Sequence, residues 1–151
     1  MQLSRIVSLG MRRLAQELRE AVYLKTDRDV TRPLVIQAMP TERCNYKCLS
    51  CNCWRANPYP NEMSLGQWQA ALASLKRFVG RFTVQFAGGE PFVYKPFVPL
   101  VEWCSANGID WGVITNGSAL SRPTAERIVA ARPLNVGISV DGASAAVHDL
   151  S

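Results

Sequence analysis

Apolar residues recur at steps of three and four at Leu3, Val7, Met11, Leu14, Leu18 and Val22. This spacing predicts an amphipathic helix over residues 3–24, weakened locally by Gly10. A polar segment from Thr26 to Pro33 follows and reads as a linker. The pattern then changes period. Leu34-Val35-Ile36-Gln37-Ala38-Met39 is a short apolar run stopped by Pro40, which suits a buried strand. Pro58, Pro60 and Asn61 keep the chain irregular beyond it. Ser64 with Gln67 forms a capping-box signature, and Leu65, Trp68, Leu72, Leu75 and Val79 line one helical face up to a C-cap at Gly80. Residues 82–86 then predict a strand, 96–107 a helix with Phe97, Leu100, Val101 and Cys104 inward, and 111–115 a strand. Residues 121–131 predict a helix and 134–140 a further strand, with the start of another helix over 143–151.

After the first helix the order is β-α-β-α-β-α-β. Such alternation implies parallel strands joined by right-handed crossovers, hence an α/β fold. Ligands of such sheets sit beyond the carboxyl ends of the strands. Each unusual motif falls at such an end: the cysteine loop after residue 39, Gly88-Gly89-Glu90-Pro91, Thr115-Asn116-Gly117 and Ser139-Val140-Asp141-Gly142. The expected division is a helix and linker at 1–33 and an α/β domain at 34–151. Four strands close no barrel, and an open sheet exposes an edge, so the chain is expected to be the N-terminal part of a longer protein.

Composition alters this picture little. The chain has 151 residues, 48% hydrophobic and 19% charged, which suffices for one core. Its net charge of +5 is drawn largely from Arg5, Arg12, Arg13, Arg19, Lys25, Arg28 and Arg32. A solvated helix face accounts for that excess, and anionic membrane contact remains open. No nucleic-acid module accompanies the charge, so no nucleic acid is expected as a partner. No apolar run is long enough for a transmembrane helix, and the N-terminus lacks a signal-peptide pattern.

The candidate chemistry lies in five cysteines, at positions 44, 48, 51, 53 and 104. An odd, clustered set argues against a disulfide framework and for metal or redox chemistry. Cys44, Cys48 and Cys51 are spaced C-x3-C-x2-C. Structural zinc ordinarily takes four ligands in two separated pairs, and the one further thiol nearby, Cys53, follows Cys51 by two residues. A compact three-cysteine loop fits iron–sulfur ligation better, with Arg43 and Lys47 available to offset negative charge. A zinc-stabilised binding module remains the alternative. Cys104, on a helix face, reads as a small core residue.

The cysteine spacing, followed one βα unit later by Gly88-Gly89-Glu90-Pro91, resembles the radical S-adenosylmethionine (SAM) superfamily over residues 34–151. The resemblance implies the N-terminal portion of a partial (β/α)6 TIM-like barrel, with about four parallel strands present. It implies a [4Fe–4S] cluster held by Cys44, Cys48 and Cys51, with SAM chelating the fourth iron. Gly88, Glu90 and their neighbours Gly89 and Pro91 match the turn that binds the SAM amino group. Thr115, Asn116, Ser139 and Asp141 match positions near its ribose, methionine or carboxylate, and Ser50 stands where the superfamily commonly has an aromatic residue near the adenine. The implied reaction is reductive cleavage of SAM to a 5′-deoxyadenosyl radical, which abstracts hydrogen from a substrate. An electron donor such as a flavodoxin or ferredoxin is implied, and a cytoplasmic location suits an oxygen-sensitive cluster. The substrate is open between a peptide and a biosynthetic precursor, as is membership of the subgroup with a C-terminal SPASM-type cluster domain. His148 with Asp149 resembles a His-Asp pair of that subgroup, although a turn or helix-start role outweighs it. The competing expectation is a non-catalytic, truncated remnant.

Overall fold

The computed structural model describes residues 2–55 and 62–149. Pro58, Pro60 and Asn61, read as keeping the chain irregular, lie outside the described residues. The chain divides into two compact units, Met1–Val35 and Ile36–Ser151.

The first unit is built on α1 (Gln2–Thr26). Gly10 does not interrupt it. The helix ends where the Thr26 hydroxyl donates to the Val22 carbonyl at 2.7 Å and Asp27 adopts the left-handed region at φ 55°. The chain then returns along the helix, and the Arg32 N–H donates to Gln16 Oε1 at 3.3 Å. Asp29 accepts from both the N–H and the hydroxyl of Thr31, at 2.9 and 2.7 Å, and these bonds hold its carboxyl below the usual range.

The rest of the chain forms β1 (Val35–Ala38), α2 (Leu65–Val79), β2 (Thr83–Phe86), α3 (Phe97–Ala106), β3 (Asp110–Thr115), α4 (Arg122–Ala130), β4 (Asn135–Ile138) and α5 (Ala145–His148), with short 3-10 turns at Cys53–Arg55 and Pro91–Val93. The four strands make one sheet in the order β1-β2-β3-β4. β2 pairs in parallel with β3, Val84 opposite Trp111, and β3 with β4, Val113 opposite Val136. This is the predicted α/β architecture. Three strands are shorter than the apolar runs suggested, notably β4, where residues 139–140 lie beyond the strand, whereas β3 starts one residue earlier than expected.

Alternation along the strands sets the core. Val84 and Phe86 of β2 share a face with Trp111 and Val113 of β3, and all are fully buried. That face meets Leu72 of α2 and Phe97, Leu100, Val101 and Cys104 of α3, within one apolar cluster. Phe86 packs edge-on to Phe97 at 5.4 Å and to Trp68 at 6.4 Å. The Trp111 indole N–H is satisfied by Ser105 Oγ at 2.8 Å and the Ala131 carbonyl at 3.1 Å. The opposite sheet face carries Gln85, Gly112, Ile114, Asn135 and Gly137. A Cβ at Gly112 would stand 2.5 Å from Asn135 Oδ1 and 2.7 Å from Gln85 Oε1, so a side chain there would have to displace these two amides.

Ser64 caps α2 as predicted. Its hydroxyl accepts from the Gln67 N–H at 3.3 Å, and the Gln67 side chain accepts from the Ser64 N–H at 2.8 Å. Ser121 performs the same service at α4.

Candidate functional site

All four motifs lie at the carboxyl ends of the strands, and hydrogen bonds join the first three. The stem of the cysteine loop leaves β1 and runs against the turn after β2. The Ala87 N–H donates to the Ala38 carbonyl at 3.0 Å, Gly89 to Thr41 at 3.0 Å, and Glu90 to Arg43 at 2.8 Å. The reason for two glycines is visible here. A Cβ on Gly89 would stand 2.2 Å from the Arg43 carbonyl oxygen and 2.6 Å from the Glu42 carbonyl carbon. Gly88 has φ +125°, and its Cβ would meet Met39 Cγ at 2.2 Å. Backbone therefore packs on backbone, one residue before Cys44.

Glu90 joins this assembly to the third strand. It is 1% exposed. Its Oε1 accepts from the Phe92 N–H at 3.1 Å and the Thr115 hydroxyl at 2.7 Å, and its Oε2 from the Asn116 N–H at 2.8 Å. Pro91 is buried as the first residue of the turn that follows. Asn116 in turn reaches the cysteine loop. Its amide nitrogen donates to Asn45 Oδ1 at 3.0 Å and lies 3.9 Å from Cys44 Sγ. Asn45 donates to Ser118 Oγ at 2.7 Å. Three donors of the protein itself thus meet the Glu90 carboxylate.

Cys44, Cys48, Cys51 and Cys53 are free thiols, half-buried. Cys44 Sγ accepts from the Tyr46 N–H and Cys51 Sγ from the Cys53 N–H, each at 3.4 Å. Such N–H···S bonds suit sulfurs that carry negative charge as metal ligands. Among the described residues no three His, Cys, Asp or Glu side chains converge closely enough for a single ion. A cubane has its irons at separate corners and takes its thiolates spread around it. Three thiols in one loop are the donor chemistry an iron–sulfur cluster takes, and the same loop brings the Cys44 sulfur and the Asn45 side chain to Asn116. Burial is the main cause that pushes the Cys53 thiol up, followed by its hydrogen bond with Cys51. The buried Cys104 thiol is pushed up to about 12 and belongs to the core, as read.

Two braces of the loop had no signal in the sequence. Trp54 donates its indole N–H to the Cys48 carbonyl at 3.0 Å, with Arg55 stacked 4.9 Å from the ring and Lys47 at 6.0 Å. Glu62 binds Arg43 in a bidentate pair, both contacts at 2.8 Å, and accepts the Thr41 hydroxyl. The pair raises the Arg43 pKa and lowers that of Glu62. Arg43, expected to offset a cluster's charge, is paired with Glu62.

Ser50, Ser139 and Asp141 are exposed. The Ser139 N–H extends the β3–β4 ladder to the Thr115 carbonyl at 2.9 Å. The Asp141 N–H donates to His148 Nδ1 at 3.1 Å, so His148 ties down the turn after β4, the bland role expected of it.

Fold and site together define an α/β sheet protein with a cysteine loop coupled to the next two strand ends. Residues 39–151 match the model of the radical SAM superfamily, and the chain belongs to that superfamily. It is 33% identical to the mycofactocin maturase MftC of Mycobacterium ulcerans, over 78% of this chain and 31% of that protein. It is 31% identical to the Fe-coproporphyrin III synthase of Methanosarcina barkeri, over 74% of this chain and 28% of that protein. Among solved structures, Streptococcus suis SuiB bound to S-adenosylmethionine superposes with a TM-score of 0.72 at 20% identity, over 89% of this chain and 31% of SuiB. SuiB has also been solved bound to its precursor peptide SuiA. The chain therefore spans about a third of the length of these relatives. No helix among the described residues is long and apolar enough to cross a membrane.

Proposed function

We propose that this chain carries the cofactor-binding part of a radical SAM enzyme. Cys44, Cys48 and Cys51 hold a [4Fe–4S] cluster, and SAM is bound by the 88–91 turn, Thr115, Asn116, Ser139 and Asp141, with the Ser50 backbone alongside. The observation that carries this reading is the hydrogen-bonded continuity from Arg43 through Glu90 to Asn116 and back to Cys44. When both are bound, the cluster and SAM supply reductive cleavage of the sulfonium and a radical able to take hydrogen from a substrate.

The chain's own residues position and shield. The glycine turn presents backbone close to the cysteine stem. Glu90 is a positioning residue, fixing Thr115 and Asn116, and Asn116 holds its amide toward Cys44. Trp54 and the Arg43–Glu62 pair fix the two sides of the loop. The electron donor is a protein such as a flavodoxin or ferredoxin, and the setting is cytoplasmic.

A peptide is the substrate class best supported, since SuiB is solved with a precursor peptide and MftC is named as a maturase. The same two relatives support placing the full-length protein in the subgroup with a C-terminal SPASM-type domain.

Anaerobic reconstitution with ferrous iron and sulfide should load about four irons per chain. The reduced protein should give an electron paramagnetic resonance signal that changes when SAM is added. The Cys44→Ala/Cys48→Ala/Cys51→Ala variant should load none. Zinc binding in place of iron, or equal loading by that variant, sinks the assignment. For the substrate, the reduced full-length enzyme with SAM should change the mass of a short peptide encoded beside its gene. An unchanged peptide overturns that part alone.

A further inference from the structure

Helices α2 and α3 pack on one face of the sheet. In a barrel of this kind the helix-bearing face is the outer one, and the opposite face lines the interior. A closed α/β barrel ordinarily fills that interior with bulky branched side chains. The register here sets a different row across three strands. Gln85 of β2 stands opposite Gly112 of β3, and Gly112 opposite Asn135 of β4. The two side-chain amides lean over the glycine from either side, Gln85 Oε1 at 2.7 Å and Asn135 Oδ1 at 2.5 Å from where its Cβ would stand. Gln85 Nε2 has no hydrogen-bond partner among the described residues. One level nearer the strand ends, Ile114 stands opposite Gly137, a second position without a side chain.

We propose that Gln85 and Asn135 form a subsite that binds a backbone amide of a peptide substrate. The inference rests on the peptide substrate proposed above and goes beyond it by assigning the contacts. Each side-chain amide offers an acceptor oxygen and an NH2 donor. A peptide group offers the complement, one N–H and one C=O. A donor left unpaired inside a protein costs free energy, and an incoming carbonyl removes that cost at Gln85 Nε2. The glycines at 112 and 137 leave room for the ligand where branched residues would stand.

The charge of the row selects a neutral ligand. Asp110 is the one charged residue of β2–β4. It is buried at the start of β3, with Arg81 at 3.8 Å. A carboxylate or phosphate would find no cation among Gln85, Gly112 and Asn135, and a neutral amide needs none. The position also suits the reaction. Gly112 precedes Thr115 by three residues, about 10 Å along the strand, which is the span of about three extended residues of a bound peptide. A peptide held by the amide row thus carries a side chain from there to the strand ends, where Glu90, Thr115 and Asn116 meet the cysteine loop.

The test uses the full-length protein loaded with its cluster, and a fluorescein-labelled copy of the short peptide encoded beside its gene. Fluorescence anisotropy gives the affinity. Gln85→Ala and Asn135→Ala should each weaken peptide binding by about threefold to tenfold, the worth of one hydrogen bond. Gly112→Val, which places branched atoms between the amides, should weaken it further. Iron content and the change in the electron paramagnetic resonance signal on adding SAM should match those of the parent protein, because the row lies below the cysteine loop. Peptide affinity within about twofold of the parent in Gln85→Ala/Asn135→Ala, less than one hydrogen bond is worth, overturns the subsite and leaves the peptide reading standing. A parent protein that loads iron and responds to SAM but binds no peptide overturns both. Loss of iron and of the SAM response in step with peptide binding marks a structural role and overturns the subsite as well. The two alanine variants decide the matter if Gly112→Val does not fold.

Discussion

Replacing Glu90 tests whether the three strand ends are mechanically one unit. Its carboxylate is 1% exposed and accepts from the Phe92 N–H, the Thr115 hydroxyl and the Asn116 N–H. A hydrogen bond to a charged group is worth about 1.5–3 kcal/mol, and a buried donor left without a partner costs about 1–3 kcal/mol. Glu90→Ala strands the buried Thr115 hydroxyl and two backbone N–H groups, at about 1–3 kcal/mol each, so about 3–9 kcal/mol should be lost. That is a large part of the 5–15 kcal/mol typical of a domain. Glu90→Gln keeps the shape and one acceptor oxygen but turns an amide NH2 toward one of the donors. Its loss should be smaller, about 1.5–3 kcal/mol. Urea unfolding followed by tryptophan fluorescence measures both, and Glu90→Gln remains informative if Glu90→Ala does not fold. The iron content of reconstituted Glu90→Gln gives a second readout, because Asn116 faces Cys44. Unfolding of Glu90→Ala within about 0.5 kcal/mol of the parent chain, the range of ordinary surface changes, would refute the reasoning.

Four further outcomes are expected. Gly89→Ala places a Cβ 2.2 Å from the Arg43 carbonyl oxygen, where neither partner is a flexible side chain. The loops must part, at a cost of about 1–3 kcal/mol, and iron loading should fall with stability. Glu62 has its pKa lowered, chiefly by its hydrogen bond with Arg43, from an ordinary 4.5. Its stabilising contribution is therefore complete above about pH 4.5 and is lost as pH falls through the lower folded value. With the side chains 45% and 24% exposed, that contribution is about 0.5–1 kcal/mol. Glu62→Gln should flatten the acid limb of a pH–stability curve by that amount, and an unchanged limb counts against the pair. Cys104, its pKa pushed up to about 12 by burial, should resist iodoacetamide at pH 8 until the protein is unfolded, as peptide mass mapping would show. Ser64→Ala should cost about 1 kcal/mol in urea unfolding through loss of the α2 cap, leaving iron content unchanged.

Much of this was legible in the chain because its causes are local. The change from a 3.6-residue to a short-run pattern at residue 34 marks β1, and the capping box at Ser64 marks the start of α2 to the residue. The clustering of Cys44, Cys48 and Cys51 needs no fold to be noticed. Glu62 and Trp54 went unnoticed because nothing in their neighbours announces a partner. Glu62 meets Arg43 across 19 residues, and Trp54 acts by bonding a backbone carbonyl, a group every residue owns. The partner of Arg43 was hidden for the same reason, since only folding brings Glu62 near.

The sequence by itself determined the alternation of strand and helix, the periodicity of each apolar face and the clustering of the three thiols. These follow from periodicity and side-chain chemistry, which act over a few residues. Tertiary structure alone decided what the motifs do to one another. Gly89 is required because another backbone lies against it, and Glu90 is bound by donors from its own turn and from the end of β3. Each is a matter of contact between segments distant in the chain, and periodicity carries no information about which surfaces will meet.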